Sequence, residues 1–171
     1  SKDGAPYEGI LYIGLMLTKS GPLVLEYNVR LGDPEAQVVL PLLKTDFVDV
    51  CQAVTKNQLD ELKVEIYPGY CAGVVLASGG YPGPYEKGKL ITGDLRDEQD
   101  KLVFHAGTRR LKNGEVESSG GRVICVSAVA PSLRSAVRKA YDKVNKIDFE
   151  GMHYRNDIGF KGLKELGETD I

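Results

Sequence analysis

Residues 25–41 alternate polar and apolar side chains in a pattern that indicates both a strand and a chemical role. Successive side chains of an extended strand point to opposite faces, so Glu26, Asn28 and Arg30 share one face. They lie roughly 6 to 7 Å apart at each step of two residues. This row suits a metal ion and a phosphate, although an ordinary half-exposed strand also alternates in this way.

The polar row offers the groups that a magnesium site next to a phosphate requires. Mg²⁺ prefers oxygen ligands and often takes only one or two of them from the protein. Glu26 can supply a carboxylate oxygen and Asn28 a carboxamide oxygen. Arg30 presents a planar fork of donors that fits a phosphoryl or carboxylate group at two points. Glu26 and Asn28 are therefore the candidate metal ligands, and Arg30 is the candidate anion ligand.

The sequence Gly-Asp-Pro-Glu at 32–35 predicts that a helix begins directly after the polar row. Asp33 is expected at the N-cap, Pro34 at the first helical position, and Glu35 in the first turn, where the helix dipole favours a negative charge. A helix N-terminus is well suited to anions. Asp33 is therefore a further candidate site residue, although capping alone is sufficient to explain it.

Hydrophobic periodicity predicts an α+β chain with two parts. Residues 1–62 are expected to form the first part, and the elements predicted there are strands at 7–17 and 23–30, a turn at 18–22, and helices from 34 to about 43 and from 45 or 46 to about 62. Residues 63–171 are expected to form a small antiparallel β-rich lobe with short strands between turn signals. An apolar stripe behind Pro131 predicts one helix packed on that lobe.

Several residues of the second part have both a functional and a structural interpretation. Lys87 and Tyr85 either reach a substrate phosphate or ribose or lie in a solvated loop. Arg122 either points into a cleft or forms a structural salt bridge. His105 alternates with an apolar neighbour in a strand, and a single histidine in such a position is usually a hydrogen-bonded structural residue.

Composition excludes several classes of partner. The formal net charge is −2, which gives no general attraction to nucleic acid or to anionic membranes. No apolar stretch approaches the ~20 residues that a membrane span needs. The three cysteines, Cys51, Cys71 and Cys125, are widely spaced and have apolar neighbours, so we expect buried free thiols in a reducing compartment, the cytoplasm.

Four segments carry a resemblance to a known family. They are the run Gly21 to Gln37, the segment 77–88 that begins Ala-Ser-Gly-Gly-Tyr-Pro, the pair His-Ala-Gly-Thr (105–108) and Gly-Gly-Arg-Val (120–123), and Tyr-Arg with Asp-Ile-Gly (154–159). In these segments the chain resembles the phosphoribosylamine-glycine ligases, or glycinamide ribonucleotide synthetases, which are ATP-grasp enzymes of purine biosynthesis. The resemblance covers essentially the whole chain, and several motifs agree in order and spacing.

The resemblance implies a fold and a reaction. The fold would be the C-terminal half of an ATP-grasp module followed by a small antiparallel β-rich lobe. The complete enzyme would join glycine to 5-phosphoribosylamine while ATP is hydrolysed to ADP and phosphate, with glycyl phosphate as the intermediate. An N-terminal domain and the first half of the ATP-grasp module precede this segment in the family. We therefore expect a C-terminal fragment that is inactive without its missing N-terminal half.

The resemblance also assigns roles to residues. Glu26 and Asn28 would hold Mg²⁺ or Mn²⁺ against the ATP phosphates. Arg30 would steady the glycine carboxylate or its acyl phosphate, and Asp33 would orient the amine or the ribose. The substrate-binding candidates of the second lobe are Lys87 and Arg122. Two alternatives stay open, namely another ATP-grasp ligase or carboxylase of nucleotide metabolism, and a non-catalytic binding or assembly module.

Overall fold

The computed structural model describes Gly4 and residues 6–168, and the chain divides into two units. The first comprises Ser1–Ala36 and Leu43–Tyr67, and the second comprises Gln37–Leu42 and Pro68–Ile171. Among the described residues, every buried hydrophobic side chain lies in the second unit, between Ala72 and Leu163. None of the helices in this described part is long and apolar enough to cross a membrane.

The first unit begins with an antiparallel hairpin of strands β1 (Tyr12–Thr18) and β2 (Gly21–Asn28). Thr18 closes the two-residue turn, because its Oγ1 accepts a hydrogen bond from Ser20 N at 3.2 Å and donates one to the Gly21 carbonyl at 2.7 Å. The predicted boundaries were wrong, since the turn is tighter than expected. β2 also ends at Asn28, so that Arg30 lies beyond the strand.

A β-bulge in β2 sets which residues of the hairpin face each other. The register shifts by one residue after Gly14 and leaves Leu25 as the extra residue of β2. Beyond the bulge Gly14 pairs with Glu26, and Tyr12 pairs with Asn28. The polar residues of β2 therefore share a face with Gly14 and Tyr12.

Helix α1 (Ala36–Val39) continues as a 3-10 turn over Leu40–Leu42. It begins two residues later than predicted, because residues 33–35 form a turn in which Ala36 N donates to the Gly32 carbonyl at 3.0 Å. The position before the helix is therefore Glu35, and the prediction that Asp33 is its N-cap was wrong.

Helix α2 (Phe47–Thr55) is capped at both ends. Asp46 accepts a hydrogen bond from Val48 N at 2.8 Å, which confirms the predicted start. The helix ends before the predicted Leu62, because Asn57 adopts a left-handed conformation with φ of 55° and Gln58 N bonds back to the Ala53 carbonyl at 2.8 Å.

The second unit contains two antiparallel sheets. The strands of the first are β3 (Tyr70–Ala77), β5 (Lys101–His105) and β8 (Arg122–Ala130), and their order is β3-β8-β5. The strands of the second are β4 (Leu90–Gly93), β6 (Thr108–Arg110), β7 (Val116–Ser118) and β9 (Ile147–Asp148), and their order is β6-β7-β4-β9. The predicted α+β class with a small antiparallel lobe is confirmed.

Helix α3 (Leu133–Val144) packs on the three-stranded sheet and confirms the predicted apolar stripe. Ser132 caps its start, because its Oγ accepts a hydrogen bond from Ser135 N at 3.2 Å. The residues that α3 buries are Ala136, Val137, Ala140, Lys143 and Val144. Lys143 is the exception in this set, since it is a cation with no exposed surface.

The last helix of the described residues is α4 (Phe160–Glu165). Its N-cap position is Gly159, with φ of 82°, and no side chain caps the helix. A Cβ at Gly159 would lie 2.6 Å from Val137 Cγ2, so glycine permits both the conformation and the close approach.

The three cysteines are free thiols with different exposure. Cys125 is buried and Cys71 is half-buried, and burial raises the pKa of the Cys71 thiol to about 11. Cys51 on α2 is exposed, so the expectation of three buried thiols was wrong at this position.

Candidate functional site

The polar end of the hairpin brings two of the predicted site residues together. Glu26 and Asn28 occupy alternate positions at the end of β2 and share one face of the hairpin. Their cross-strand partners on that face are Gly14 and Tyr12. A Cβ at Gly14 would lie 3.0 Å from Glu26 Cγ, so the glycine gives the glutamate side chain its space. A carboxylate and a carboxamide are thereby presented side by side.

A second carboxylate of the first unit, Glu35, approaches the same face through Tyr12. The Tyr12 hydroxyl donates a hydrogen bond to Glu35 Oε1 at 3.4 Å. The negative charge of Glu35, and to a smaller extent that of Glu26, raises the pKa of Tyr12. The phenol therefore lies within the electrostatic reach of both carboxylates and stays protonated as a donor.

Arg30 and Asp33 lie after the strand rather than within it. Arg30 is exposed, and its Nη1 donates to the neighbouring Leu31 carbonyl at 2.9 Å. Because β2 ends at Asn28, strand geometry does not hold Arg30 in the row with Glu26 and Asn28. Asp33 is exposed in the turn before α1. Both belong to the first unit, as do Glu26 and Asn28.

The donor set at the end of β2 fits a hard divalent cation. Glu26 and Asn28 contribute only oxygen ligands, which Mg²⁺ and Mn²⁺ accept. Within the described ranges, no three His, Cys, Asp or Glu side chains form a cluster that could hold a metal. A metal here would therefore take its remaining ligands from water or from a bound phosphate, which is the usual situation of Mg²⁺.

Three loops of the second unit converge at one end of the three-stranded sheet, and we call them the three-loop cluster: Ser78–Tyr81, His105–Thr108 and Ser119–Arg122. Ser78 N and Oγ donate to the carbonyls of Gly121 and Gly120, each at 2.8 Å. Ser119 N donates to the Gly107 carbonyl at 2.7 Å. A Cβ at Gly107 would lie 2.6 Å from Gly120 Cα, so these glycines allow the backbones to touch.

Arg122 is held at the edge of this cluster by Tyr81. Its Nε donates to the Tyr81 hydroxyl at 3.0 Å. The Tyr81 ring lies directly over Gly121, where a Cβ would collide with the ring. The Gly-Gly-Arg motif therefore combines a flat surface for the ring with a guanidinium of fixed orientation.

Lys87 and His105, which the sequence also singled out in this unit, differ in their surroundings. Lys87 is exposed in the loop before β4, next to Gly88, whose N–H donates to the Ser118 carbonyl at 2.7 Å. His105 Nδ1 lies 3.1 Å from Thr108 Oγ1, as expected for a hydrogen-bonded structural histidine. Lys87 and Arg122 belong to the second unit, whereas the four other predicted site residues belong to the first.

Sequence reasoning missed Tyr12, Glu35 and Tyr81. If the strand register next to the turn continued without a bulge, Tyr12 would pair with Tyr27. The bulge shifts the register, so that Tyr12 pairs with Asn28. Glu35 was considered only for its charge at a helix start. Tyr81 received no role of its own, although a tyrosine after two glycines was an available signal.

Two family models match this chain. The model described as the phosphoribosylglycinamide synthetase C domain matches residues 71–161, which is more than half of the chain. The model described as the ATP-grasp (A) domain of the same synthetase matches residues 1–36.

Relatives with known names agree with these models. The phosphoribosylamine-glycine ligase of Chlorobaculum tepidum is 51% identical over 163 residues, which are 94% of this chain and 38% of that protein. A bifunctional purine biosynthetic protein of Schizosaccharomyces pombe is 46% identical over 98% of this chain and 21% of its own length. The solved phosphoribosylamine-glycine ligase of Thermotoga maritima superimposes with a TM-score of 0.78 at 41% identity, over 91% of this chain and 38% of that one. The chain thus spans less than two fifths of each of these relatives.

Proposed function

This chain belongs to the phosphoribosylglycinamide synthetase family, and we propose that it supplies the metal-binding part of an ATP-dependent carbon-nitrogen ligase. The observation that carries the proposal is the pairing of Glu26 and Asn28 on one face of β2, with Gly14 opposite. A carboxylate and a carboxamide are sufficient protein ligands when phosphates and water complete the coordination shell of a hard cation. The metal would be Mg²⁺ or Mn²⁺.

We assign the two parts of the chain as predicted from the sequence. Residues 1–62 would form the C-terminal part of an ATP-grasp domain, and residues 63–171 the C-terminal β-rich domain. The matches of the A-domain model to residues 1–36 and of the C-domain model to residues 71–161 support this assignment. The remainder of the ATP site would come from an N-terminal half, which is the principal partner of this chain.

The proposed reaction joins glycine to 5-phosphoribosylamine. A glycine carboxylate oxygen attacks the γ-phosphorus of ATP, and ADP leaves with the electrons of the broken P–O bond. The amine of phosphoribosylamine then attacks the acyl carbon of glycyl phosphate, phosphate leaves, and the amine loses a proton. Negative charge develops on the transferring phosphoryl group, so the protein must chiefly position groups and place cations. A divalent cation would act there as a Lewis acid and a template.

The other predicted site residues receive roles in this scheme. Arg30 would bind the glycine carboxylate or its acyl phosphate through its donor fork, after exchanging its present bond to the Leu31 carbonyl. Asp33 would orient the amine or the ribose. In the second unit Arg122, oriented by Tyr81, and Lys87 would contact the phosphorylated substrate. The free thiols of the chain favour the cytoplasm as the place of the reaction.

A chimeric enzyme tests the proposal. In the Chlorobaculum tepidum ligase, the segment that matches this chain is replaced by residues 1–171, and ADP release is measured with ATP, Mg²⁺, glycine and freshly generated phosphoribosylamine. We expect ADP release that requires both glycine and the amine, and no release by the isolated chain. Glu26→Ala should abolish most of it, because the metal loses its charged ligand.

The matched control is Glu61→Ala, which removes an exposed glutamate of the same unit outside the hairpin. It should leave activity and metal dependence unchanged. A folded chimera that releases ADP with a different amine or carboxylate would assign the chain to another ligase. Near-native turnover of Glu26→Ala at low Mg²⁺ would refute the metal site.

A further inference from the structure

A cavity of about 560 Å³ lies in the second unit between α3 and the segment 156–160. Small-molecule sites typically have volumes of roughly 300 to 1,000 Å³ and mostly apolar walls. Most of the surface of this cavity is apolar, and the apolar residues that line it are Val137, Tyr141, Ile158 and Phe160. The proposed ligase reaction assigns no role to any of these residues.

The backbone around the cavity is fixed without a ligand. The Tyr141 hydroxyl donates to the Arg155 carbonyl at 2.7 Å and accepts from Ile158 N at 3.1 Å, so that one side chain pins the returning segment at two points. Gly159 packs against Val137 at the next position. The cavity is therefore preformed, and binding would not require this segment to be ordered first.

Two arginines give one end of the cavity a positive charge. Arg134 and Arg138 are exposed and lie one helical turn apart on α3, with Cβ atoms roughly 6 Å from each other. Arg134 forms a long ion pair with Glu168, in which Nε and Oε2 are 3.9 Å apart. Arg138 makes no hydrogen bond or ion pair in the part of the chain that the structure describes. Its desolvation by a bound anion would therefore break no pair among the described residues.

The acidic groups around the cavity determine the orientation of a ligand. Asp157 is neutralised by Arg155 through hydrogen bonds of 2.8 and 2.7 Å. Asp142 lies one helical turn beyond Arg138 and would repel an anion at that end. An anionic group is thus favoured beside Arg134 and Arg138, and an apolar body beyond it would cover the exposed ring of Phe160, which keeps 51% of its surface.

We propose that this cavity binds a small monocarboxylate with an aromatic or branched aliphatic body. The carboxylate pairs with Arg138 and Arg134, and the apolar body fills the space between Val137, Ile158 and Phe160. This site is separate from the proposed metal site and does not depend on the ligase activity.

The test is an NMR titration of the isotope-labelled chain with 4-phenylbutyrate, with the neutral alcohol 4-phenylbutanol as the matched probe. We expect saturable shifts of the Val137 and Ile158 methyl groups and of the Arg138 side-chain N–H. The alcohol should bind more weakly by roughly fivefold or more, because it lacks the charge-assisted hydrogen bonds. Arg138→Gln should weaken 4-phenylbutyrate binding to a similar degree.

The control is Arg110→Gln, which removes an exposed arginine of the same unit that does not line the cavity. It should leave the affinity for 4-phenylbutyrate unchanged. The proposal is overturned if the cavity residues show no saturable shifts, if the alcohol binds as well as the acid, or if Arg138→Gln and Arg110→Gln have equal effects. Shifts confined to the hairpin would also overturn it, because they would report general binding to exposed apolar groups.

Discussion

Gly14 faces Glu26 across the β1–β2 ladder, and a Cβ atom at position 14 would lie 3.0 Å from Glu26 Cγ. This close approach follows from the bulge at Leu25, which moves Glu26 into register with Gly14. The glutamate thus has one preferred space, on the face that it shares with Asn28. The position of the candidate metal ligand therefore depends on the absence of a side chain on the neighbouring strand.

Gly14→Val should displace the Glu26 side chain and weaken metal-dependent catalysis. In the chimeric enzyme we expect kcat/KM to fall about tenfold or more, because small misplacements of catalytic groups have effects of that order. The measurement is a Mg²⁺ titration of ADP release. Met16→Val, on the same strand but two positions nearer the turn, is the control, and equal Mg²⁺ dependence of the two variants would contradict the prediction.

Arg30→Lys keeps the positive charge but removes the donor fork. If Arg30 binds a carboxylate or an acyl phosphate at two points, ADP release by the chimeric enzyme should fall by roughly tenfold or more. The chain itself should lose no stability, since Arg30 is exposed and bonds only to the Leu31 carbonyl in the hydrogen bonds seen here. If the Arg30→Lys chimera is as active as the parent chimera, charge alone suffices at this position.

Tyr81→Phe should remove one of the interactions that orient Arg122. Loss of the 3.0 Å hydrogen bond from Arg122 Nε should lower the free energy of unfolding by about 1 kcal/mol. Tyr85→Phe is the matched control for this stability effect, because the structure shows its ring packed edge-on to Tyr81 and no hydrogen bond from its hydroxyl among the described residues. In the chimeric enzyme Tyr81→Phe should also raise the KM for phosphoribosylamine, and an unchanged KM would argue against Arg122 as a substrate ligand.

Alternation in the sequence was sufficient to place Glu26 and Asn28 on one face, because that conclusion needs only the two-residue period of a strand. It was not sufficient to place Arg30, since the end of β2 at Asn28 depends on the bulge and on the tight turn. Tyr12 could not be identified either. Tyr12 pairs with Asn28 across the hairpin only because the bulge adds one residue to β2.

Lys143→Ala should destabilise the second unit strongly. Lys143 is fully buried and lies 3.0 Å from Asp94 Oδ2 and 3.1 Å from Glu98 Oε1. Each carboxylate then loses one charged hydrogen-bond donor but keeps its other cationic partner, and the expected loss is about 2 kcal/mol in the free energy of unfolding. Lys146→Ala, an exposed lysine just beyond the end of α3, should change stability little, and chemical denaturation compares the two variants.

Stability should decrease as the pH falls below about 4.5. Hydrogen bonds from Lys101 and then Lys143 lower the pKa of Glu98 from 4.5 to about 2, and Arg96 and then Lys143 lower the pKa of Asp94. Because these values are lower in the folded chain, the stabilisation is complete above the unfolded pKa and is lost as the pH falls toward 2.

Denaturation curves between pH 6 and about pH 2 measure this effect. Glu98→Gln should reduce the loss of unfolding free energy at low pH, because one of the two titrating groups is gone. Glu165→Gln, at an exposed position of α4, serves as the control. If Glu98→Gln and the parent chain lose the same unfolding free energy at low pH, other carboxyl groups cause the pH dependence.

The apolar stripe predicted α3 and most of its buried residues, but it passed over the lysine within it. Lys143 lies three residues after Ala140 and therefore on the buried face, so its burial could have been derived from the helical period. Its partners could not have been derived, because Asp94 and Glu98 lie in a connection whose path depends on the packing of both sheets. A charged residue at a core position is a signal that such partners exist.

The two units differ in burial, and their sequences are therefore under different constraints. The second unit encodes its own core, whereas Leu17 and Leu25 of the hairpin stay largely exposed and contribute little to the stability of this chain. If those side chains meet the N-terminal half in the proposed enzyme, natural selection acts on them through an assembled protein. Substitutions there would then be silent in the isolated chain and harmful to the organism, so tolerance measured on the 171 residues would understate their evolutionary constraint.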